Sequence, residues 1–397
     1  MKQKIITVVL CCFGLIFMIP SISLGLGLEN PADNAGEPTH FEIVFPELSL
    51  QADNNLFNLD FLNADMTTEA KKNSFLGRME GQTFKSNFNL DLGTEMTIGD
   101  LTLHVGLWGG GSINLSSGFN KLLFYGYEPS QTYKFTGTLA SSLSALSCDL
   151  TYARSIPLEI NDLQVGATFR LLEGFAVYSG EVTNGEVTTN FWGQSDYKFN
   201  VRSYGTNPDN LESGDFSGQG CLVDLGANYI MDKWKIGLAL KNLGPAMEWT
   251  GIDVKDEQYT GSIDEIGSTE TPEPTTTTTN KTNVDYSVKI PVVLEAGATY
   301  SLNPKLDLKA GLRTAFSDGF GYSRTLRLLG DVDWRPFWLM HLAGEVYFQG
   351  AQMGASTLTE LRLGPLWMSL GVGWTGGLIP GNSTTGVDMS LSGRIHF

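Results

Sequence analysis

The last twelve residues, Gly386 to Phe397, constrain the fold more than any other stretch of the chain. Val387, Met389, Leu391, Gly393, Ile395 and Phe397 fall on one side of an extended strand. Asp388, Ser390, Ser392, Arg394 and His396 fall on the other. One face is apolar and one is polar, because side chains alternate across a strand. A strand that ends on an aromatic has nothing to lead into, so it closes a sheet instead of feeding the next element.

The same two-residue period recurs upstream. Leu163, Val165, Ala167, Phe169 and Leu171 interleave with Gln164, Gly166, Thr168 and Arg170, and Leu306 to Arg313 and His341 to Phe348 repeat the pattern. Short turn clusters separate such runs at Glu95 to Asp100, Ser155 to Asp162, Met231 to Lys233, Ser301 to Lys305, Arg335-Pro336 and Gly364-Pro365. Longer polar stretches lie between them, roughly at 109–142, 173–217, 244–289, 316–323, 349–355 and 376–385. Six hairpins, the closing strand and an outgoing strand over Phe41 to Leu50 give about fourteen strands, within a range of 12–16. The expected fold is all-β, a single transmembrane antiparallel barrel with short helices in its loops or lumen.

A soluble sandwich would alternate in the same way; the start of the chain separates the two. Lys2 and Lys4, the apolar run Ile5 to Ile19 and the small residues Ser23-Leu24-Gly25 form a secretory signal peptide over 1–25. Its removal leaves 24 basic against 43 acidic residues, a net −19, which excludes nucleic acid as a partner. No later stretch is long and apolar enough for a membrane helix, and a closed barrel is the other way to satisfy a backbone in lipid. Short turns at one end and long loops at the other suit an outer-membrane location. Outer-membrane lipid is then the surrounding partner, and the barrel-assembly machinery the partner during insertion. Trp234, Trp334, Trp338, Trp367 and Trp374, at the ends of runs, fit an interfacial girdle. Cys148 and Cys221 share the phase of the apolar residues and point to lipid on separate strands, a poor start for a disulfide.

Three segments do not resemble wall. Thr67 to Met79 and Gly118 to Gly126 have helical composition, and each follows an outgoing strand. Residues 251–288, with eight acids, Pro-Glu-Pro and five consecutive threonines, are expected to be a mobile acidic external loop.

The inward phase collects both signs of charge, including Lys85, Asp91, His104, Asp149, Asp224, Asp307, Lys309 and Asp388. As solute-path residues we single out Arg170, Glu295, Arg313, Glu345, Glu360, Arg362 and Arg394. Such charges form a constriction or pair with each other across a hydrated lumen. An enzyme is not expected: a lipid-facing phospholipase needs an outward histidine, whereas His104, His341 and His396 are inward, and no long loop carries one. The spacing of Asp209, Glu212 and Asp215 matches no calcium loop. The glycine-rich run Gly106 to Gly111 lacks the Lys-Ser/Thr of a phosphate cradle, and neither cofactor nor metal is expected.

The terminal strand ending in Phe397 looks like that of a bacterial outer-membrane barrel, in which such a residue is part of the insertion signal. Asn30-Pro31-Ala32 soon after the signal, the strand count and the early helices resemble the long-chain fatty acid transporter (FadL-type) superfamily. Residues 70–175, with Phe75-Leu-Gly, Leu122-Leu-Phe-Tyr-Gly, Ala153-Arg-Ser-Ile and Arg170-Leu-Leu-Glu-Gly, are similar to an uncharacterised barrel family of diderm bacteria in the same group. The resemblance implies passage of hydrophobic or small solutes into the barrel and out through a kink in its wall, with an N-terminal segment plugging the lumen. Only about fifteen residues separate the cleavage site from the first strand, short for that plug; Thr67 to Met79 could take its place. Two alternatives stand beside this one. One is a barrel that does not transport and whose loops bind a partner; the other is an open diffusion porin.

Overall fold

The computed structural model describes residues 30–35, 41–56, 58, 77, 83–125, 128–192, 194–206, 216–263, 275–381 and 383–397. The signal peptide over 1–25 lies outside them, as do the acids at 209, 212 and 215 and, Gly77 apart, the expected helix Thr67 to Met79.

The alternating runs become antiparallel strands. In chain order they are β1 (Glu42–Asn54), β2 (Phe84–Ile98), β3 (Leu101–Leu115), β4 (Thr132–Lys134), β5 (Leu139–Pro157) and β6 (Asp162–Thr189). Next come β7 (Ser195–Thr206), β8 (Gly218–Met231), β9 (Trp234–Leu243), β10 (Met247–Ile263), β11 (Thr275–Val288) and β12 (Val293–Asn303). The last six are β13 (Leu306–Ala315), β14 (Arg327–Phe337), β15 (Met340–Gln349), β16 (Gln352–Leu363), β17 (Leu366–Thr375) and β18 (Gly386–His396). A helix, α1 (Ser117–Tyr125), follows β3, where Gly118 to Gly126 has helical composition.

The ladders run β1–β2–β3–β5–β6–β8–β9–β12 and then through β13 to β18, and β18 pairs back with β1. Fourteen of the eighteen strands among the described residues therefore close a ring. The other four, β4, β7, β10 and β11, stand outside it, a feature the alternation alone does not disclose. β6 explains how: its first half pairs with β8, whereas Tyr178 to Thr189 pairs with β7, and β7 pairs in turn with β10. A β4–β6–β7–β10–β11 sheet thus projects from one end of the barrel. The tight turns gather at the opposite end.

Residues 251–288 correct an expectation. Lys255 to Thr260 pair with Asn280 to Thr275, so the threonine run is a strand of a hairpin and not a mobile loop. Threonine is β-branched and favours a pleated surface even where nothing is buried. Residues 173–217 likewise contain the far half of β6 and β7. The turn expected at Arg335-Pro336 lies instead at Trp338-Leu339, because the β14–β15 ladder jumps from Trp334 to Phe337 and a bulge absorbs the proline.

Leu92, Leu103, Leu150, Phe169, Leu225, Leu238, Leu328, Phe348 and Leu370 are exposed on the outer wall, with charged partners inside. Trp367 departs from the girdle: paired with Arg394, it points inward and stacks on His396 at 5.1 Å. Cys148 and Cys221 are free. Each is cross-strand partner of Leu171, on opposite sides of it. Two strand spacings, roughly 10 Å, then separate them, too far for a disulfide.

Candidate functional site: the lumen and its obstructions

The inward charges sit on the phase that the sequence gives them, and the structure pairs every one of the seven solute-path residues. Arg170 bonds Asp149 at 2.8 Å and lies 3.4 Å from Asp224. Arg313 faces Glu295 at 3.2 Å, and Arg327 faces Glu345 at 2.6 Å with its guanidinium 3.8 Å over the Tyr347 ring. Near the tight turns, Arg362 bonds Glu360 at 2.7 Å and lies 4.1 Å over Trp367, and Arg394 stands 3.6 Å from Glu42. His341 bridges Asp333 (2.7 Å) and Glu360 (3.7 Å), and Lys309 lies between Asp331 and Asp333. Asp331, Asp333, Arg327 and Glu42 belong to these networks and were readable in principle, since each keeps the inward phase of its strand. Paired charges inside a wall of this kind hold neighbouring strands in register. The other outcome, unpaired rings of opposed charge, is not what the described residues show.

Among the described residues, three structures fill the lumen. At the tight-turn end, Asn30 caps a 3-10 turn over Pro31–Asn34, with its side chain accepting from the Ala32 amide at 2.9 Å. The Asn30 side-chain amide donates to the Ala227 and Leu238 carbonyls and to Asn228 Oδ1. Lys235 holds Asp33 at 2.6 Å, and Gln164 donates to the Ala35 carbonyl. The turn fits because β6 and β8 present bare backbone to it. A Cβ on Gly166 would meet the Pro31 carbonyl carbon at 2.3 Å, and one on Gly226 would meet Asn30 Oδ1 at 1.9 Å. The short N-terminal segment therefore does reach the lumen, docked flat on the wall.

The second obstruction is the loop between β13 and β14. Asn89 on β2 donates to the Gly321 carbonyl at 3.1 Å, and the Gly321 amide donates to Ser112 on β3 at 3.0 Å. Lys85 reaches Asp318 at 3.4 Å. β2 lies seven strands from β13 in both directions round the ring. The loop therefore crosses the full bore. Gly319, Phe320 and Gly321 all have positive φ, and a Cβ on Gly110 would meet the Phe320 carbonyl oxygen at 2.3 Å. Nothing in the local composition of 316–326 announced this reach, because its partners are more than two hundred residues away.

The third is apolar. Trp249, Met247, Ile252, Leu172, Leu143 and Trp108 bury one another at the projecting end of the barrel. Trp249 lies on Gly174 and Gly218, where a Cβ would meet its ring at 2.4 and 2.6 Å. Phe320 and Tyr322 of the crossing loop pack against this cluster, so the second and third obstructions touch. Above it Tyr204 stacks on Tyr286 at 4.5 Å. In the projecting sheet a hydrogen bond from Arg202 (2.6 Å) holds the Asp256 carboxyl below the usual carboxylate range, and burial pushes the Tyr259 hydroxyl up to about 12. The wall beside the obstructions is continuous at β3, whose ladders with β2 and β5 run unbroken from Leu101 to Asn114. Both ladders of β1 break between Val44 and Glu47.

A closed antiparallel ring with an apolar outer face and its polar groups turned inward is a transmembrane β-barrel of the outer-membrane type. The chain belongs to a family of unknown function (DUF5723), whose profile matches residues 31–369. Similar solved structures include the toluene transporter TodX of P. putida, 10% identical over 93% of both chains with a TM-score of 0.46. The toluene transporter TbuX of Ralstonia pickettii is 12% identical, with 93% and 92% of the two chains covered and a TM-score of 0.47. A FadL homologue of Pseudomonas aeruginosa is 10% identical over 96% of this chain and 99% of its own, with a TM-score of 0.45. No curated protein matches the sequence.

Proposed function

We propose that this protein is an outer-membrane channel of the FadL type, exported by residues 1–25, that admits small hydrophobic molecules through the projecting end of the barrel. The observation that carries the reading is the apolar cluster around Trp249, inside the bore of a membrane barrel. A pore for polar solutes keeps a polar lumen, and burying two tryptophans and four aliphatic side chains there gives an apolar molecule somewhere to partition. Removing apolar area from water is worth roughly 25 cal/mol per Å². The crossing loop and the Asn30 turn block free diffusion, which argues against an open porin. The reading is non-enzymatic, and it assigns His104, His341 and His396, which face carboxylates at 3.8, 2.7 and 3.2 Å inside the barrel, to the charge pairing of the wall.

The test is made on protein purified from outer membranes. In a planar bilayer the intact barrel is expected to be electrically silent. Toluene, added as an apolar probe, should quench tryptophan fluorescence saturably, and Trp249→Ala should abolish the saturable part. Large persistent conductance steps, or quenching that stays linear in probe, would overturn the proposal.

A second reading rests on the β4–β6–β7–β10–β11 sheet. At the end of the β6–β7 hairpin, Phe191 and Trp192 are exposed, their rings 5.4 Å apart, and Asn190 fixes the turn by accepting from the Trp192 and Gln194 amides. A rigid aromatic pair on a projecting hairpin suits a barrel whose outer part binds a partner. Uptake of apolar probe that survives removal of 184–200 together with 255–280, which leaves Met247, Trp249 and Ile252 in place, would count against this reading and in favour of the first.

A further inference from the structure

A cavity of about 280 Å³ opens inside the lumen between the Asn30–Asp33 turn and the wall formed by β9, β12 and β13. Its floor is explained by register. Gly297 pairs with Gly237 on one side and Gly311 on the other, so three neighbouring strands present no side chain at one level. Glycine weakens a strand, and a row of three in a wall marks a place where something must lie close.

The levels above and below the glycine row differ in charge, one holding an acid beside a base and the other two lysines. On one side the row is Ala239, Glu295 and Arg313. On the other it is Lys235, Thr299 and Lys309. The rows are four residues apart along the strands, roughly 13 Å. Glu295, Lys235 and Lys309 all line the cavity. Glu295 is 2% exposed, and neither of its carboxylate oxygens accepts a hydrogen bond from a described residue, although Arg313 stands 3.2 Å away as its ion-pair partner. A buried carboxylate without hydrogen bonds costs free energy that a donor placed in the cavity would offset. Each lysine already faces an acid: Asp33 for Lys235, Asp331 and Asp333 for Lys309. An ammonium has three donors, so both can still take an anion.

We infer that this cavity is a binding site for a small zwitterion, with its cationic group at Glu295 and its anionic group towards Lys235 and Lys309, lying across the glycine floor. The site is separate from the apolar cluster and stands whether or not apolar molecules cross above it.

The test is isothermal titration of the purified barrel with 6-aminohexanoate, hexylamine and hexanoate, which share a chain and differ only in their ends. The zwitterion should bind one per barrel and at least about tenfold tighter than either relative, a difference of about 1.4 kcal/mol. Glu295→Gln should weaken it by about tenfold or more, and Gly297→Leu, which fills the floor without touching a charge, should abolish it. Heat-modified gel mobility checks that both variants are folded, and the three-probe comparison on the unaltered protein needs neither. Any other ranking of the three probes, no saturable binding at several millimolar, or binding indifferent to both folded variants overturns the inference.

Discussion

Asn89 and Gly321 lie on opposite walls of the barrel by strand order, yet the Asn89 side chain donates to the Gly321 carbonyl at 3.1 Å. Gly321 takes φ +85°, and a Cβ there would meet Asn89 Oδ1 at 1.8 Å. The position tolerates only glycine, on conformation and on space.

Gly321→Val should therefore detach the crossing loop. The left-handed backbone costs a β-branched residue about 1–3 kcal/mol, and the clash adds to it. The ring ladders do not involve this residue, so the barrel stays folded. Single-channel recording should show discrete openings absent from the parent; a silent variant would mean that the Asn30 turn and the apolar cluster close the bore without the loop.

The Asn30 turn is anchored chiefly by one side chain. Asn30→Ala removes three donated bonds and the N-cap, and leaves Asn228 Oδ1 short of a partner. A cost of about 2–4 kcal/mol to the docked turn follows. Gly226→Val should have the same effect from the wall side. A cysteine placed at Asp33 would report both, reacting with a water-soluble maleimide much faster in either variant. Equal reaction rates would show that the turn is not held by these contacts.

The projecting sheet carries a pH dependence whose sign can be worked out. Asp256, hydrogen-bonded to Arg202, has its folded pKa below the unfolded value, so the bond supports β7–β10 pairing above the usual carboxylate pKa and is lost as pH falls through the folded one. Both groups are solvent-exposed and the effect is small. Amide exchange in Tyr197–Thr206, corrected for intrinsic rates, should rise below about pH 4 and should not in Asp256→Asn, in which protection is already reduced at neutral pH.

Strand phase was legible for the charged residues of the wall, because a lipid-facing wall must alternate and a one-residue slip would bury charge in lipid. That placed Arg170, Glu295, Arg313, Glu345, Glu360, Arg362 and Arg394 inside. What each touches was not legible, since pairing depends on which strands are neighbours. Thr275 to Thr279 misled because composition argued for a solvated loop while β-branching and a waiting partner strand decided otherwise. Trp367 misled because an aromatic at a strand end looks alike whether it faces lipid or covers an ion pair. The glycines at 166, 226, 237 and 297 were visible as letters; only the docked turn and the cavity give them a reason.

Phe397 closes the chain by donating its amide to the Phe41 carbonyl at 2.9 Å, with the two rings 6.0 Å apart. Its side chain is 63% exposed, so the folded barrel gains little beyond the ring contact, about 0.5–1.5 kcal/mol. Phe397→Ser keeps the backbone bond. The two roles of the residue then separate: if it is read during insertion, the amount of barrel in the outer membrane should fall severalfold while the melting temperature of what does assemble shifts by only a few degrees. Undiminished levels would show that assembly does not read the last residue, and a large fall in melting temperature would show that the ring contact matters more to the folded wall than its exposure suggests.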